Sequence, residues 1–240
     1  MHRAVHPILD HPVLFDDPLA FPILGVDRDE VLAGAPPRSR LRMFIALRHR
    51  LAEQTLAAAY AQGTRQCVVL GAGLDTIAYR NDHADLRVFE VDHPATQAWK
   101  RERLAEAGIP EDATYVGIDF ERDDLTSRLV EDGFRADRPA VFVWLGVVPY
   151  LTRAAVAATL RALAGVPGAQ VVLDHAGTER DAAGEERHQR LAERVAAVGE
   201  ELTEAWSPGE MAELLTGCGF AEVEELLPAG GGAHVVRARR

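Results

Sequence analysis

The sequence predicts a doubly wound α/β fold, a mostly parallel seven-stranded sheet with a C-terminal antiparallel hairpin and an N-terminal helical lid. Three observations lead there. From Gln66 onward short β-branched runs alternate with helical stretches, the pattern of parallel strands joined by crossover helices. The last two strand-like runs, Ala221 to Leu227 and His234 to Arg239, are joined by Pro228-Ala229-Gly230-Gly231-Gly232, too short for a crossover helix, so they must pair antiparallel. Before the sheet stand about sixty residues of helical character, which divides a single domain into a lid, 1–62, and a sheet core, 63–240.

In the lid, Phe15 to Ala20 starts a short helix and Pro36-Pro37 breaks the chain. Ser39 to Ala61 reads as a long helix, capped by Ser39 and closed by Gly63. Leu41, Phe44, Ile45, Ala52, Thr55, Leu56 and Ala59 share one face of it, and Arg48 lies near the middle of that stripe. An arginine directed inward needs a carboxylate or carbonyl partner, supplied by the protein or by a ligand. His2, His6 and His11 read as a loose terminus rather than a metal site.

In the core, strands are expected at Gln66 to Gly71, Leu86 to Asp92, Thr114 to Ile118, Ala140 to Leu145 and Gln170 to Asp174. Pro94 to Ala107 is a helix that starts on an allowed first-turn proline and stops at Gly108. Thr152 to Leu163 follows a threonine cap, and Ala182 to Leu202 reads as an amphipathic helix with a solvated face.

Composition excludes several chemistries. The net charge of −11 argues against a nucleic-acid surface. No apolar run approaches the roughly 20 residues of a membrane span, and the absence of an apolar leader predicts a cytoplasmic protein. Lys100, the single lysine among 26 basic residues, sits in Trp99-Lys100-Arg101 with no tyrosine four residues before it, so neither a P-loop nor a Tyr-x-x-x-Lys pair is present. Ser39, Ser127 and Ser207 are the only serines, and none sits in a G-x-S-x-G elbow. Cys67 and Cys218 form no C-x-x-C, and no H-E-x-x-H exists, so no metal site is expected.

The candidate site lies where strands end. Cys67 to Leu70 runs into Gly71-Ala72-Gly73-Leu74-Asp75, a turn whose glycines let backbone approach a ligand closely. The second strand ends in Glu90 and Asp92, 19 and 21 residues after Gly71, the spacing at which a carboxylate accepts ribose hydroxyls. Asp119 and Phe120 follow the third strand, where an adenine would lie, although Asp119 equally suits the cap of a helix from Glu121 to Glu131. Trp144-Leu145-Gly146 and Tyr150 follow the fourth, Asp174 and His175 the fifth. Together these features indicate a nucleoside-bearing cofactor.

The runs LGAGLDTIAYR, FEVDHP, GIDFERDDL and VWLGVVPYLT, in that order, resemble the leucine carboxyl methyltransferase family of S-adenosyl-L-methionine enzymes, which includes bacterial polyketide O-methyltransferases. The resemblance runs from about Phe15 through Thr152 and is weaker in the C-terminal third. It implies a Rossmann-like class I methyltransferase fold with the terminal hairpin, and methyl transfer to an oxygen of a small molecule that leaves S-adenosyl-L-homocysteine. It implies that Gly71 and Gly73 line the methionine part, that Asp92 binds the ribose, and that Asp119 and Phe120 border the adenine; Ala72, Asp75, Glu90 and Leu145 complete the candidate cofactor-site residues. Arg48 then matches the arginine that holds the methionine carboxylate. One departure stands out: where the family commonly reads W-E-G, this chain has Leu145, which removes a cofactor-site carboxylate. Tyr150 and His175 are the candidate substrate contact and base. Two other classes fit less well. A nicotinamide oxidoreductase conflicts with Thr76 at the third glycine of G-x-G-x-x-G, and a non-catalytic protein that keeps the fold is suggested by Leu145 alone.

Overall fold

The computed structural model describes residues 1–178, 205–227 and 232–240. The expected helix from Ala182 to Leu202 and most of the linker from Pro228 to Gly232 lie outside the described residues. Seven strands form a sheet in the order β3-β2-β1-β4-β5-β7-β6, the predicted fold. By packing the chain divides into Met1–Gly117 and Ile118–Arg240.

The first unit contains α1 (His2–Leu9), α2 (Ala20–Leu24), α3 (Arg28–Gly34), α4 (Arg40–Ala61), β1 (Gln66–Leu70), β2 (Arg87–Asp92), α5 (Pro94–Glu106) and β3 (Thr114–Gly117). Strand β2 pairs parallel with β1 on one side and with β3 on the other. Every residue of β1 is buried, as befits a parallel strand covered on both faces. Ser39 caps α4 by accepting the Arg42 N–H, and Pro94 opens α5 at its first turn. Gly108, at φ +66°, takes the left-handed turn that ends α5.

Three expectations need correction here. The short helix begins at Ala20 rather than Phe15. The N-terminus is not loose. His6 is buried, its Nδ1–H donates to Asp10 at 2.8 Å, and its Nε2 accepts the Leu14 N–H at 2.9 Å. The buried line of α4 runs through Arg42, Ala46, His49, Ala52, Thr55, Leu56 and Ala59, while Leu41 is 55% exposed. Hydropathy placed the first half of that helix on the wrong face because Arg42 and His49 bury against polar partners that arrive from elsewhere in the chain. Arg42 donates to both Asp10 oxygens, at 2.5 and 2.7 Å, and to the carbonyls of Pro36 and Pro37.

The second unit contains α6 (Leu125–Glu131), β4 (Val141–Trp144), α7 (Arg153–Ala164), β5 (Gln170–Ala176), α8 (Pro208–Cys218), β6 (Glu222–Leu227) and β7 (Ala233–Arg239). Strands β4 and β5 are parallel, and β7 runs antiparallel between β5 and β6, as the short linker requires. Asp124, not Asp119, caps α6, so that helix starts four residues later than expected. Ser207 and Glu210 form a reciprocal capping box that starts α8. Strand β5 continues through His175 to Ala176, so His175 is a strand residue and not part of a loop beyond it. Among the described residues no helix is long and apolar enough to cross a membrane.

Candidate cofactor site

Strand β1 delivers the chain into the glycine turn. The Gly71 and Ala72 N–H groups both donate to the Val91 carbonyl, at 2.8 and 3.1 Å, so the turn stays tied to β2 after the ladder ends. Gly71 (φ +64°) and Gly73 (φ +47°) hold left-handed backbone, which any side chain would strain. A Cβ at Gly73 would meet nothing within 4 Å, so the turn opens into free space on that side.

Asp92, half-buried at the end of β2, closes the turn from below. One carboxylate oxygen accepts the Gly73 N–H at 2.6 Å and the other the His93 N–H at 2.7 Å. Each oxygen keeps a lone pair for a ligand hydroxyl. Two residues earlier, Glu90 is fully buried. It accepts from Lys100 Nζ at 2.6 Å and from the Tyr79 hydroxyl at 3.2 Å, and Tyr79 in turn bonds Tyr115 at 2.7 Å. Burial pushes the Glu90 carboxyl up to about 7 even though Lys100 pulls it down. The spacing that paired Glu90 with Asp92 as ribose ligands therefore overlooked a committed partner: Glu90 belongs to a buried ion pair.

Asp75 is likewise engaged by the protein. Its Oδ1 accepts the Ile77 N–H at 2.8 Å, and its Oδ2 faces Arg3 at 3.4 Å and His49 at 3.6 Å. Burial raises its pKa, but Arg3, His49 and Lys100 outweigh that and hold it below the usual carboxylate range. His49 donates from Nδ1 to the Ile45 carbonyl at 2.7 Å, which leaves Nε2 to accept from Arg3 at 3.1 Å. Burial, then the Arg3 charge, lowers its pKa to about 3, so the ring is neutral at physiological pH. Arg3 also donates to the Leu74 carbonyl and pairs with Asp17 at 3.1 Å, and Asp17 accepts from Thr76 at 2.8 Å. Helix α1 is thus bonded directly to the glycine turn, a connection that no local pattern announces. Arg48, next to His49, is half-buried, with its guanidinium 5.8 Å from the centre of the Phe44 ring.

In the second unit, Asp119 accepts the Glu121 N–H at 3.0 Å and faces Arg122 at 3.5 Å. Phe120 stacks on buried Trp144 with ring centroids 6.4 Å apart. Leu145 leads into Gly146, at φ +74°, whose N–H donates to Asp174 at 2.6 Å. Tyr150 is 40% exposed. His175 is buried, stacked on its strand partner His234 at 4.9 Å and bonded to the Ala176 carbonyl, and burial lowers its pKa. Among the described residues no group of three or more His, Cys, Asp or Glu could hold a metal ion.

Residues 1–164 match the family described as Leucine carboxyl methyltransferase. The chain is 36% identical over 174 residues to the Bacillus subtilis protein named "Putative S-adenosyl-L-methionine-dependent methyltransferase YktD", covering 69% of this chain and 57% of that one. A Mycobacterium marinum protein of the same description is 36% identical over 219 residues, covering 84% and 70%. The chain therefore spans between just over half and about seven-tenths of the length of these relatives. Among solved structures, the magnesium protoporphyrin IX methyltransferase ChlM of Synechocystis PCC 6803, with bound SAH, aligns at a TM-score of 0.51 and 14% identity over 92% of this chain and 96% of that one. An O-methyltransferase family protein from Burkholderia thailandensis aligns at 0.51 and 15% identity over 93% and 67%. These two similarities establish the shared fold.

Proposed function

Since the chain belongs to the leucine carboxyl methyltransferase family, we propose that it transfers a methyl group from S-adenosyl-L-methionine to a carboxylate or hydroxyl oxygen of a small molecule, a polyketide-type metabolite being the class the resemblance suggests. The observation that carries this reading is the glycine turn closed by Asp92: left-handed Gly71 and Gly73, open space at Gly73, and a half-buried carboxylate held by two backbone N–H groups with acceptor capacity to spare. This donor set fits a nucleoside and an amino-acid tail.

In this reading Gly71, Ala72 and Gly73 lie along the methionine part, Asp92 takes the ribose hydroxyls, and Arg48 takes the methionine carboxylate. Asp75 and Glu90 act from behind, holding the turn through Arg3 and Lys100 rather than touching the ligand. The adenine-side roles of Asp119 and Phe120 follow from the resemblance, which also leaves Leu145 without the usual carboxylate. The cofactor, when bound, supplies a methyl on a sulfonium that is already a good leaving group. The protein's contribution is then orientation and exclusion of water. The helices of residues 1–62 serve as the cover, anchored at the turn by Arg3 and His49. A carboxylate acceptor requires no base, whereas a hydroxyl acceptor benefits from one. Exposed Tyr150 suits a substrate contact, and the burial of His175 argues for a packing role over proton transfer.

The test is calorimetry with S-adenosyl-L-methionine and S-adenosyl-L-homocysteine, followed by methyl transfer to a panel of carboxylic acids and phenols. Absence of binding at millimolar concentration overturns the reading. Binding without transfer to any acceptor favours the second reading, a non-catalytic binding protein, which Leu145 supports.

A further inference from the structure

We infer that Lys100, the chain's single lysine, is a positioning residue for the glycine turn: anchored on the buried Glu90 carboxylate, its ammonium holds the Asp75 carbonyl and so sets where the Gly71–Gly73 backbone meets the cofactor. The inference rests on the cofactor reading above. Lys100 Nζ lies 2.6 Å from the Asp75 carbonyl oxygen and 2.6 Å from Glu90 Oε2. The Asp75 N–H closes back onto the Ala72 carbonyl at 2.7 Å, so residues 72–75 form one hydrogen-bonded turn, and Lys100 grips the carbonyl of its last residue as the chain leaves it. Asp92 holds the near corner through the Gly73 N–H, and Arg3 holds the Leu74 carbonyl. The turn is therefore pinned at three points, of which Lys100 comes from α5 on the inner side.

Packing alone does not call for a charge at this position. Lys100 and Leu104 are the two buried residues of α5, and an apolar side chain of similar volume would fill the Lys100 space without desolvating an ammonium and a carboxylate. What an apolar chain cannot do is bond the Asp75 carbonyl. The groups facing Glu90 are Lys100 from α5, Tyr79 from the segment after the turn, Tyr115 from β3 through Tyr79, and the Asp75 charge from the turn itself. Glu90 Oε1 has no hydrogen-bond partner among the described residues. With burial pushing that carboxyl up to about 7, the counter-charge of Lys100 weakens as pH falls through neutrality, and the grip on the turn weakens with it.

The experiment uses the full chain and S-adenosyl-L-homocysteine as the probe, titrated calorimetrically between about pH 6 and about pH 8. Wild-type affinity is expected to fall about tenfold toward the acid end, with Glu90→Gln flat across the range at the weaker level. Lys100→Met is expected to bind about tenfold more weakly and Lys100→Arg to recover part of the loss, since a guanidinium can still bridge Glu90 and the carbonyl. Amide exchange on the ligand-free protein should quicken at Leu74 to Ile77 in Lys100→Met while β1 to β3 stay protected. A flat wild-type profile, or Lys100→Met with unaltered affinity and exchange, overturns the inference. If Lys100→Met does not fold, the wild-type and Glu90→Gln profiles decide. If wild-type protein binds no probe at any pH, the cofactor reading fails, and the exchange experiment alone decides whether Lys100 holds the turn.

Discussion

Asp92 accepts the N–H of Gly73 at 2.6 Å across nineteen residues of chain, so the strand-end acid and the glycine turn are one device. The carboxylate that is proposed to read the ribose also fixes the backbone proposed to lie along the methionine part.

Gly73→Ala separates the two roles of that glycine. The added methyl meets no protein atom within 4 Å, so the stability cost is that of a left-handed alanine, about 1 kcal/mol by urea unfolding. The same methyl projects into the space proposed for the cofactor, and S-adenosyl-L-homocysteine affinity should fall by about a hundredfold, the scale on which small misplacements act. Unchanged affinity in a calorimetric titration would place the ligand elsewhere.

Arg48→Ala tests the carboxylate role. Loss of a charge-assisted bond should weaken S-adenosyl-L-homocysteine by about tenfold or more, while adenosine, which lacks the amino-acid tail, should bind as before. Equal losses for both ligands would contradict the assignment.

Asp10→Asn leaves the buried Arg42 guanidinium without its counter-charge and should cost about 3 kcal/mol at neutral pH. Hydrogen bonds from Arg42, with smaller help from His6 and against the opposing effect of burial, hold the Asp10 pKa below its ordinary value. A depressed folded pKa contributes stability that is present above the unfolded value of about 3.9 and is lost as pH falls through the folded value. The gap between wild type and variant in chemical denaturation should therefore be constant above about pH 5 and narrow below about pH 4. A gap that does not depend on pH would show that the pair is not ionic.

Leu145→Glu restores the acid that the family resemblance leads one to expect after β4. About tenfold tighter cofactor binding is the expected result, measured by the same titration. If affinity does not change, Leu145 has no bearing on the second, non-catalytic reading.

Much of the fold was legible because it is written in local chemistry. Ser39, Thr152 and Pro94 start their helices as the capping rules require. Four apolar residues in a row, Cys67 to Leu70, mark β1, and a linker too short for a crossover fixed the direction of β7. Of the candidate site, the glycine turn and Asp92 were legible for the same reason: left-handed backbone needs glycine, and the spacing to the next strand end is set by the single crossover from β1 to β2. Lys100 is the single lysine of the chain, and that rarity together with Glu90 in the preceding strand is the available clue to their pairing.

The sequence by itself determined the order of elements, the hairpin, the glycine turn and the family, since each depends on residues near one another in the chain. Only the tertiary structure decided which charges face inward. Hydropathy assigns each side chain the cost of leaving water alone, and on that measure Arg42, Glu90 and Lys100 belong outside. Arg42 goes in because Asp10 comes to it from 32 residues away, and Glu90 because Lys100 comes from 10. A paired charge has a different free energy from an isolated one, and the pairing exists only once distant segments have met.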